Sequence, residues 1–73
     1  MKWHDCKIAP PKKSGKYALI YRRKNRERQI RWSYAYYDVI DYEWHDIEEY
    51  GCIIHQNCYD LLKWAEVNLN END

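Results

Sequence analysis

The stretch KYALIYRRKNRERQIRWSYAYYDVI, residues 16–40, decides the fold, because it contains two strand-like segments and a turn between them. Residues 16–23 are rich in aromatic and aliphatic side chains and follow a Ser-Gly pair, which is typical of a β-strand. In residues 29–40, Ile, Trp and two Tyr side chains alternate with polar or small ones, at the period of two of a strand. The connection, residues 23–28, is polar and basic, and its Asn25 tolerates the positive φ that a hairpin turn requires. The sequence therefore predicts a β-hairpin with a basic tip.

The remainder of the chain adds to this hairpin. Two prolines exclude a helix from residues 1–15, which we expect to form an extended arm and a turn. After a second turn, residues 42–45 are expected to form a short third strand. Residues 58–69 fit two structures: their Leu, Lys, Ala and Glu residues favour a helix, whereas their alternating side chains also fit a strand. Residues 69–73 are polar and are expected to fray.

The predicted fold is one small domain, residues 1–73, built as an antiparallel β-meander of three or four strands. The final element is either the fourth strand or a single C-terminal helix, which would make the domain α+β. A chain of 73 residues buries only a thin core, and its four Trp and eight Tyr, with no Phe, indicate that the core is aromatic. The residues expected in it are Trp3, Tyr17, Leu19, Ile20, Trp32, Tyr34, Tyr36, Trp44, Ile53, Leu62 and Trp64.

Charge is distributed unevenly along a chain whose net charge is zero. Residues 1–31 contain eleven Lys or Arg and two acids, whereas residues 32–73 contain one base and ten acids. In a meander the two sets would lie at opposite ends of the sheet. Such asymmetry indicates a charged partner, although facing strands that neutralise each other would explain it equally well.

The basic residues in and next to the hairpin turn, together with Trp32, form the first candidate binding site, which we call the basic hairpin. It consists of Arg22, Arg23, Lys24, Arg26, Arg28, Arg31 and Trp32. Arginine forms bidentate contacts with phosphate or carboxylate, and a neighbouring aromatic ring can stack on a base, so this pattern predicts nucleic-acid binding. The alternative is a solvated tip that keeps an edge strand soluble. The pI of about 6.8 is also low for a nucleic-acid-binding domain.

The second candidate site is an acidic and aromatic segment, which we call the acidic pole. Its residues are Asp38, Asp41, Tyr42, Glu43, Trp44, Asp46, Glu48 and Glu49. Carboxylates interleaved with aromatic rings could occupy a basic groove on another protein, as a surface that imitates nucleic acid would. The alternative is a set of solvated turns around Trp44 as a core residue.

The segment CIIHQNC, residues 52–58, is a candidate zinc site. It offers Cys52, His55 and Cys58, whereas structural zinc takes four nitrogen or sulfur ligands. A fourth ligand would have to come from His4, Cys6 or His45. No CxxC pair is present, so the alternative is that the cysteines are small hydrophobic residues and the protein has no cofactor. Neither a Cys–His pair nor any other pattern provides a full set of catalytic groups, so we do not expect an enzyme.

Short motifs along the chain are similar to those of a known family. They lie at Trp3, Pro11, Gly15, residues 17–21, residues 35–38, Trp44 and residues 61–67. The chain resembles family 551 of small phage and prophage domains of unknown function, which has an early Trp, a Pro before a Gly, and segments like YVLVY, AYYD and THWMPLP. The family's closing proline has no counterpart here. The resemblance implies a phage or prophage setting and a small antiparallel sheet whose last element is a strand, but it carries over no catalytic residue.

These patterns together predict a non-enzymatic, phage-type accessory protein that binds a host or phage macromolecule. A protein partner is favoured, with inhibition of a bacterial defence or host enzyme as the specific hypothesis, and a nucleic-acid-binding module is the alternative. A homodimer, in which the basic hairpin of one copy docks on the acidic pole of the other copy, is left open. The chain lacks the roughly 7–15 apolar residues of a signal peptide and the roughly 20 of a membrane span, so we expect it in the cytoplasm, without membrane contact.

Overall fold

The computed structural model describes residues 2–26, 28–47 and 52–67. These residues form an antiparallel sheet of six strands, and no helix occurs among them. The strands are β1 (Trp3–Asp5), β2 (Gly15–Arg23), β3 (Ile30–Asp38), β4 (Glu43–Asp46), β5 (Cys52–Ile53) and β6 (Tyr59–Glu66). Their order across the sheet is β1-β6-β2-β3-β4-β5. The β-rich antiparallel fold is therefore confirmed.

The predicted number of strands is wrong, and of the two alternatives for the C-terminal element the strand is correct. The sheet has six strands rather than three or four, since residues 3–5 of the N-terminal arm and residues 52–53 each form a short edge strand. The C-terminal element is a strand, not a helix, because β6 pairs with β2 along its length and this pairing outweighs the helical propensity of its residues. The predicted tail, residues 69–73, lies outside the described residues.

The hairpin of β2 and β3 is the part that the sequence predicts best. Its register runs from Arg22 opposite Ile30 to Gly15 opposite Tyr37. Asn25 has a φ of 65°, which confirms its predicted role in the turn. The tip is also attached to the other end of the chain, because the Lys24 backbone N–H donates to the Cys58 carbonyl at 2.9 Å.

The two faces of the sheet differ in how they are covered. Successive residues of a strand point to opposite faces. The core face holds the buried cluster Leu19, Tyr21, Ala35, Tyr37, Trp44, Ile54 and Trp64. The other face, which we call the outer face, holds an aromatic group, Trp3, Trp32, Tyr34 and Tyr36, packed around two fully buried alanines, Ala18 and Ala65. No described element lies over the outer face.

The core prediction is therefore correct for one face and wrong for several residues elsewhere. Tyr36, Trp32 and Ile53 were expected in the core but are 43%, 49% and 37% exposed. The first two lie on the outer face and Ile53 lies on the two-residue edge strand β5. Since only the core face is covered, an aromatic row on the opposite face stays in solvent.

The covering layer of the core face includes residues 6–14, which we call the proline arm. The indole Nε1–H of Trp64 donates to the Ala9 carbonyl at 2.7 Å, and the Tyr17 hydroxyl donates to the Lys13 carbonyl at 2.9 Å. Pro11, between these two anchors, is buried. The arm therefore contacts the sheet through polar groups of aromatic residues as well as through apolar packing.

Leu62, at a β-bulge in β6, provides a further anchor for the arm. Ile20 faces Lys63 and Tyr21 faces Leu61, so Leu62 is an additional residue without a partner on β2. The Leu62 carbonyl accepts a hydrogen bond from the Cys6 backbone N–H at 3.1 Å. A bulge locally disrupts the ladder on the β2 side of the strand. The Cys6–Leu62 bond lies on the other side, where it continues the register of β1 with β6 into the start of the proline arm.

This arrangement predicts that Trp64→Phe destabilises the protein even though phenylalanine is also aromatic. The change keeps a buried ring but removes the donor to Ala9, so we expect the free energy of unfolding to fall by at least about 1 kcal/mol. Urea denaturation followed by circular dichroism measures this. Trp32→Phe is the matched control, and we expect its effect to stay within about 0.5 kcal/mol because that side chain is half exposed. Equal effects of the two changes would contradict the anchoring role of Trp64.

Candidate functional site

The basic hairpin is partly neutralised by its neighbour β6. The Asp60 carboxylate lies 3.2 Å from the Arg22 guanidinium and 3.2 Å from the Lys24 ammonium group. The guanidinium of Arg23 lies 6.0 Å from the centre of the Tyr59 ring. Sequence reasoning missed Asp60, because nothing in the local pattern places residue 60 beside residue 22. Three of the predicted phosphate ligands therefore already have partners within the chain.

The remaining residues of the basic hairpin do not form one surface. Arg26 and Arg28 are exposed near the turn. Trp32 lies on the outer face, whereas Arg31 is opposite Tyr21 and points to the core side. The strand alternation therefore divides the predicted site between the two faces of the sheet.

The acidic pole is divided in a similar way. Trp44 is buried, as expected for a core residue. Tyr42, two residues earlier in the chain, is 71% exposed. Asp46 is also buried, on the core side opposite Ala35. Glu48 and Glu49 lie outside the described residues. Only part of the segment is therefore available to a partner.

The turn between β3 and β4 uses one of the predicted binding carboxylates. Asp38 Oδ1 accepts hydrogen bonds from the backbone N–H groups of Ile40, at 2.9 Å, and Asp41, at 3.4 Å. Asp38 also faces Glu43 across the two strands, and Asp41 is exposed. Tyr42 closes the turn with a φ of 57°, a left-handed conformation that is uncommon for a tyrosine.

The outer face carries the most exposed aromatic surface of the described sheet. Along β3, Ile30 is 59% exposed, Trp32 is 49% exposed and Tyr36 is 43% exposed. The rings of Trp3 and Trp32 meet edge to face at 6.3 Å, and those of Trp32 and Tyr34 do so at 5.1 Å. We call the group of Trp3, Ile30, Trp32, Tyr34 and Tyr36 the outer aromatic face. Its rings brace each other, so they are presented to solvent in a defined geometry.

Charged groups surround the outer aromatic face. The Lys16 ammonium group lies 5.0 Å from the centre of the Tyr34 ring, in a cation–π arrangement. At the turn end of β3, Asp38 and Glu43 form a facing pair of carboxylates on the same face. The rim of this face therefore carries both signs of charge.

A groove opens on the core face between the proline arm and the loop that precedes β6. Its volume is about 390 Å³. Its lining combines Cys6 and apolar or aromatic side chains with polar and charged ones: Pro10, Tyr37, Tyr42, Trp44, Tyr59 and Leu61, and Lys7, Lys24, Gln56 and Asp60. Burial raises the pKa of the Cys6 thiol to about 12, and it also raises the pKa of the Tyr37 hydroxyl. Both groups are therefore harder to ionise than an ordinary thiol or phenol.

The candidate zinc ligands do not converge in the described residues. Cys52 lies on edge strand β5, whereas Cys58 lies in a turn that begins at His55, whose carbonyl accepts from the Cys58 backbone N–H at 3.0 Å. All three side chains are exposed. Among residues 2–26, 28–47 and 52–67, no three His, Cys, Asp or Glu side chains are grouped so that they could hold a metal ion. The zinc site stays a prediction that only a metal assay tests.

No family model matches the chain, and no match is found among curated proteins or solved structures. The resemblance to family 551 stays a prediction. Within the described residues, no helix is long and apolar enough to cross a membrane.

The exposure of the three thiols predicts their order of reaction with a thiol reagent such as DTNB. Cys52 and Cys58 are exposed, whereas Cys6 is partly buried and has a pKa of about 12. Because the thiolate is the reacting form, we expect two fast thiols and one that reacts slower by about two orders of magnitude or more. Mass spectrometry of the labelled peptides identifies them. Protection of Cys52 and Cys58 that EDTA removes would instead show that they bind metal.

The ion pairs of Asp60 predict a pH dependence of stability. The hydrogen bonds from Arg22 and Lys24 hold the pKa of the Asp60 carboxyl below its ordinary value of 3.8. Its stabilising contribution is therefore complete above the ordinary value and is lost as the pH falls through the lower, folded-state value. We expect the urea midpoints of the native protein and Asp60→Asn to differ at neutral pH and to converge in acid. A gap of the same size at every pH would contradict this role of Asp60.

Proposed function

We propose that this protein is a non-enzymatic binding protein that docks onto another protein through the outer aromatic face. The observation that carries the proposal is the exposure of Ile30, Trp32 and Tyr36 side by side on β3. Contiguous apolar patches on a small domain mark interaction sites, and Trp and Tyr residues dominate the binding energy of protein interfaces.

The charges around this face favour a protein over a nucleic acid as the partner. Asp60 pairs with both Arg22 and Lys24 at one end of the sheet and offsets one of their two positive charges. The carboxylates of Asp38 and Glu43 lie at the other end, where they would repel a phosphate backbone. A rim with both signs of charge around an aromatic centre is typical of protein interfaces.

The biological setting is a further part of the proposal. The resemblance to family 551 supports a phage or prophage protein that acts in the bacterial cytoplasm, and the opposite charges of the two halves support a charged host protein as its target. Inhibition of a defence protein or host enzyme is the specific form of this hypothesis. It requires no chemistry from the chain, and the protonated state of Cys6 is consistent with a role without nucleophilic catalysis.

Binding of single-stranded nucleic acid is the second candidate. The observation that favours it is the combination of Trp32, Tyr34 and Lys16 on one face of the sheet. Exposed rings next to cations can stack on bases while the cations contact phosphates. The exposed Arg26 and Arg28 near the hairpin turn would extend such a surface.

The proposal predicts that a variant with Trp32→Thr and Tyr36→Thr loses its protein partner. Threonine preserves the strand propensity while removing both exposed rings, so the fold should survive. A partner is first captured from nuclease-treated bacterial lysate with the native protein, then purified and titrated by calorimetry. We expect the double variant to bind at least about tenfold more weakly. Ile40→Thr, an exposed change in the turn after β3, should bind normally.

Three results would contradict this assignment. Loss of the captured species after nuclease treatment, with affinity that falls steeply with salt, would establish the nucleic-acid alternative. A native dimer that the double variant converts to a monomer would show that the outer aromatic face joins two copies of this chain. Equal affinity of the native protein and the double variant for the purified partner would place its binding site elsewhere.

A further inference from the structure

Two arginines of the basic hairpin lie on the core side of the sheet, away from the outer aromatic face. Arg31 faces Tyr21 across β2 and β3, and Arg23 faces Tyr59 across β2 and β6. Tyr21 and Arg23 are two residues apart on β2, so their side chains point to the same face. Arg23 and Arg31 are therefore diagonal neighbours on this face, a relation with a usual spacing of roughly 7–8 Å. Both are exposed, and two guanidinium groups at this spacing can reach one ligand.

Tyrosine rings support this arginine pair from below. The guanidinium of Arg23 lies 6.0 Å from the centre of the Tyr59 ring. The Tyr59 ring in turn meets the ring of Tyr21 edge to face at 5.3 Å, and Tyr21 is buried in the core. A ring contact attracts a guanidinium without neutralising its charge or occupying its N–H donors. The tyrosines therefore orient Arg23 and leave its hydrogen-bonding capacity for a ligand.

The arginine pair has no carboxylate partner in the described part of the chain. The ion pairs found there involve Arg22, Lys24 and His45, and none includes Arg23 or Arg31. Like charges that lie next to each other on one face of a sheet repel and destabilise it. An anion bound between the two guanidinium groups would remove this repulsion.

The charge and geometry of the pair fit a phosphomonoester. Guanidinium groups form bidentate hydrogen bonds with phosphate oxygens. A phosphomonoester carries a charge of about −1.5 to −2 at neutral pH and offers three acceptor oxygens. Each phosphodiester of a nucleic-acid backbone carries only one charge. The dianion is therefore the group that neutralises both arginines at once.

The surroundings of the pair favour a phosphate that projects from a larger molecule. The cavity beside Arg31 has a volume of about 30 Å³, and its lining includes Tyr21, Tyr59 and the buried Asp46. Sites that enclose small molecules typically have volumes of roughly 300–1,000 Å³, so this cavity cannot enclose a nucleoside or a sugar. The Asp46 carboxylate also disfavours an anion inside it. The phosphate therefore binds at the exposed ends of the guanidinium groups, and its carrier stays outside.

We propose that Arg23 and Arg31 bind the phosphate of a phosphorylated side chain on another protein. Both guanidinium groups donate hydrogen bonds to the phosphate oxygens, and Tyr59 positions Arg23. Recognition of phosphorylated side chains by arginine clusters is a general mode of peptide binding. The site lies on the opposite face of the sheet from the outer aromatic face, so it goes beyond the function proposed above and does not depend on it.

The test is a titration of the full-length, ¹⁵N-labelled protein with the capped tripeptide Ala-phosphoserine-Ala. We expect saturable shifts of the side-chain Nε–H signals of Arg23 and Arg31, with no shift of the Trp32 indole signal on the outer face. The matched peptide with serine in place of phosphoserine should produce no saturable shift. A peptide with glutamate there, which carries one charge, should bind at least about tenfold more weakly.

Charge-matched variants locate the site. Arg23→Gln and Arg31→Gln should each raise the dissociation constant for the phosphopeptide at least about tenfold. Both side chains are exposed and unpaired, so neither change should lower the urea midpoint of the free protein. Lys63→Gln removes an exposed cation from the outer face and should change the dissociation constant less than about twofold. Arg31→Lys, which keeps the charge but loses the bidentate contact, should bind with intermediate affinity.

Several outcomes would overturn the proposal. The first is the absence of saturable shifts at millimolar phosphopeptide, and the second is equal binding of the serine peptide. Equal weakening by Lys63→Gln and Arg31→Gln would show general electrostatic attraction rather than a site. Inorganic phosphate that binds as tightly as the phosphopeptide would mean that the pair takes a free anion. Tighter binding of a single-stranded oligonucleotide without a terminal phosphate, lost in the arginine variants, would assign the pair to a nucleic-acid backbone.

Discussion

The two hydrogen bonds that Trp64 and Tyr17 donate to the proline arm are the interactions on which the rest of this structure depends. A sheet must bury one face against a second layer, which in most domains is a helix or another sheet. In the described part of this chain, the proline arm, a segment of turns and bends, contributes to that layer, and Trp64 and Tyr17 anchor it through its carbonyls. Because the arm is short, it covers one face only. The aromatic outer face and the open groove are both consequences of this limited cover.

Strand β6 contacts the proline arm, the core and the basic hairpin. Trp64, on its core side, anchors the arm, the Leu62 carbonyl binds Cys6, and Asp60 at the other end holds Arg22 and Lys24. Strand β6 comes from the acidic half and lies between β1 and β2, which both come from the basic half. The charge asymmetry of the sequence therefore reflects, at least at the Asp60 end, neutralisation within the fold. Besides Arg23 and Arg31, what is left for a partner at that end is the half-exposed Trp32 together with the exposed Arg26 and Arg28.

The sequence predicts the hairpin well because its signals are local. Alternation and turn residues give strands at 16–23 and 29–40, close to the observed Gly15–Arg23 and Ile30–Asp38. The same alternation shows which residues share a face, but it does not show which face is covered. On β3 the buried side carries the small residues Ser33 and Ala35 and one ring, Tyr37, whereas Trp32, Tyr34 and Tyr36 point to the outer face. Size and hydrophobicity therefore indicated the wrong face. The position of β6, and with it the role of Asp60, depends on contacts about 40 residues apart in the chain, which no local pattern contains.

Strand β3 places two chemically different surfaces back to back. Tyr36 points to the outer aromatic face and its neighbour Tyr37 points into the groove. The outer surface has half-exposed rings with charges of both signs at its rim, which suits a broad protein contact. The groove combines the buried rings of Tyr37 and Trp44 with the charged side chains of Lys7, Lys24 and Asp60. Over residues 35–37 the strand is paired on both sides, with β2 and with β4, so its backbone has little freedom to transmit a change from one surface to the other. The same pairing on both sides holds the side chains of the outer aromatic face at this end of β3 in a fixed orientation.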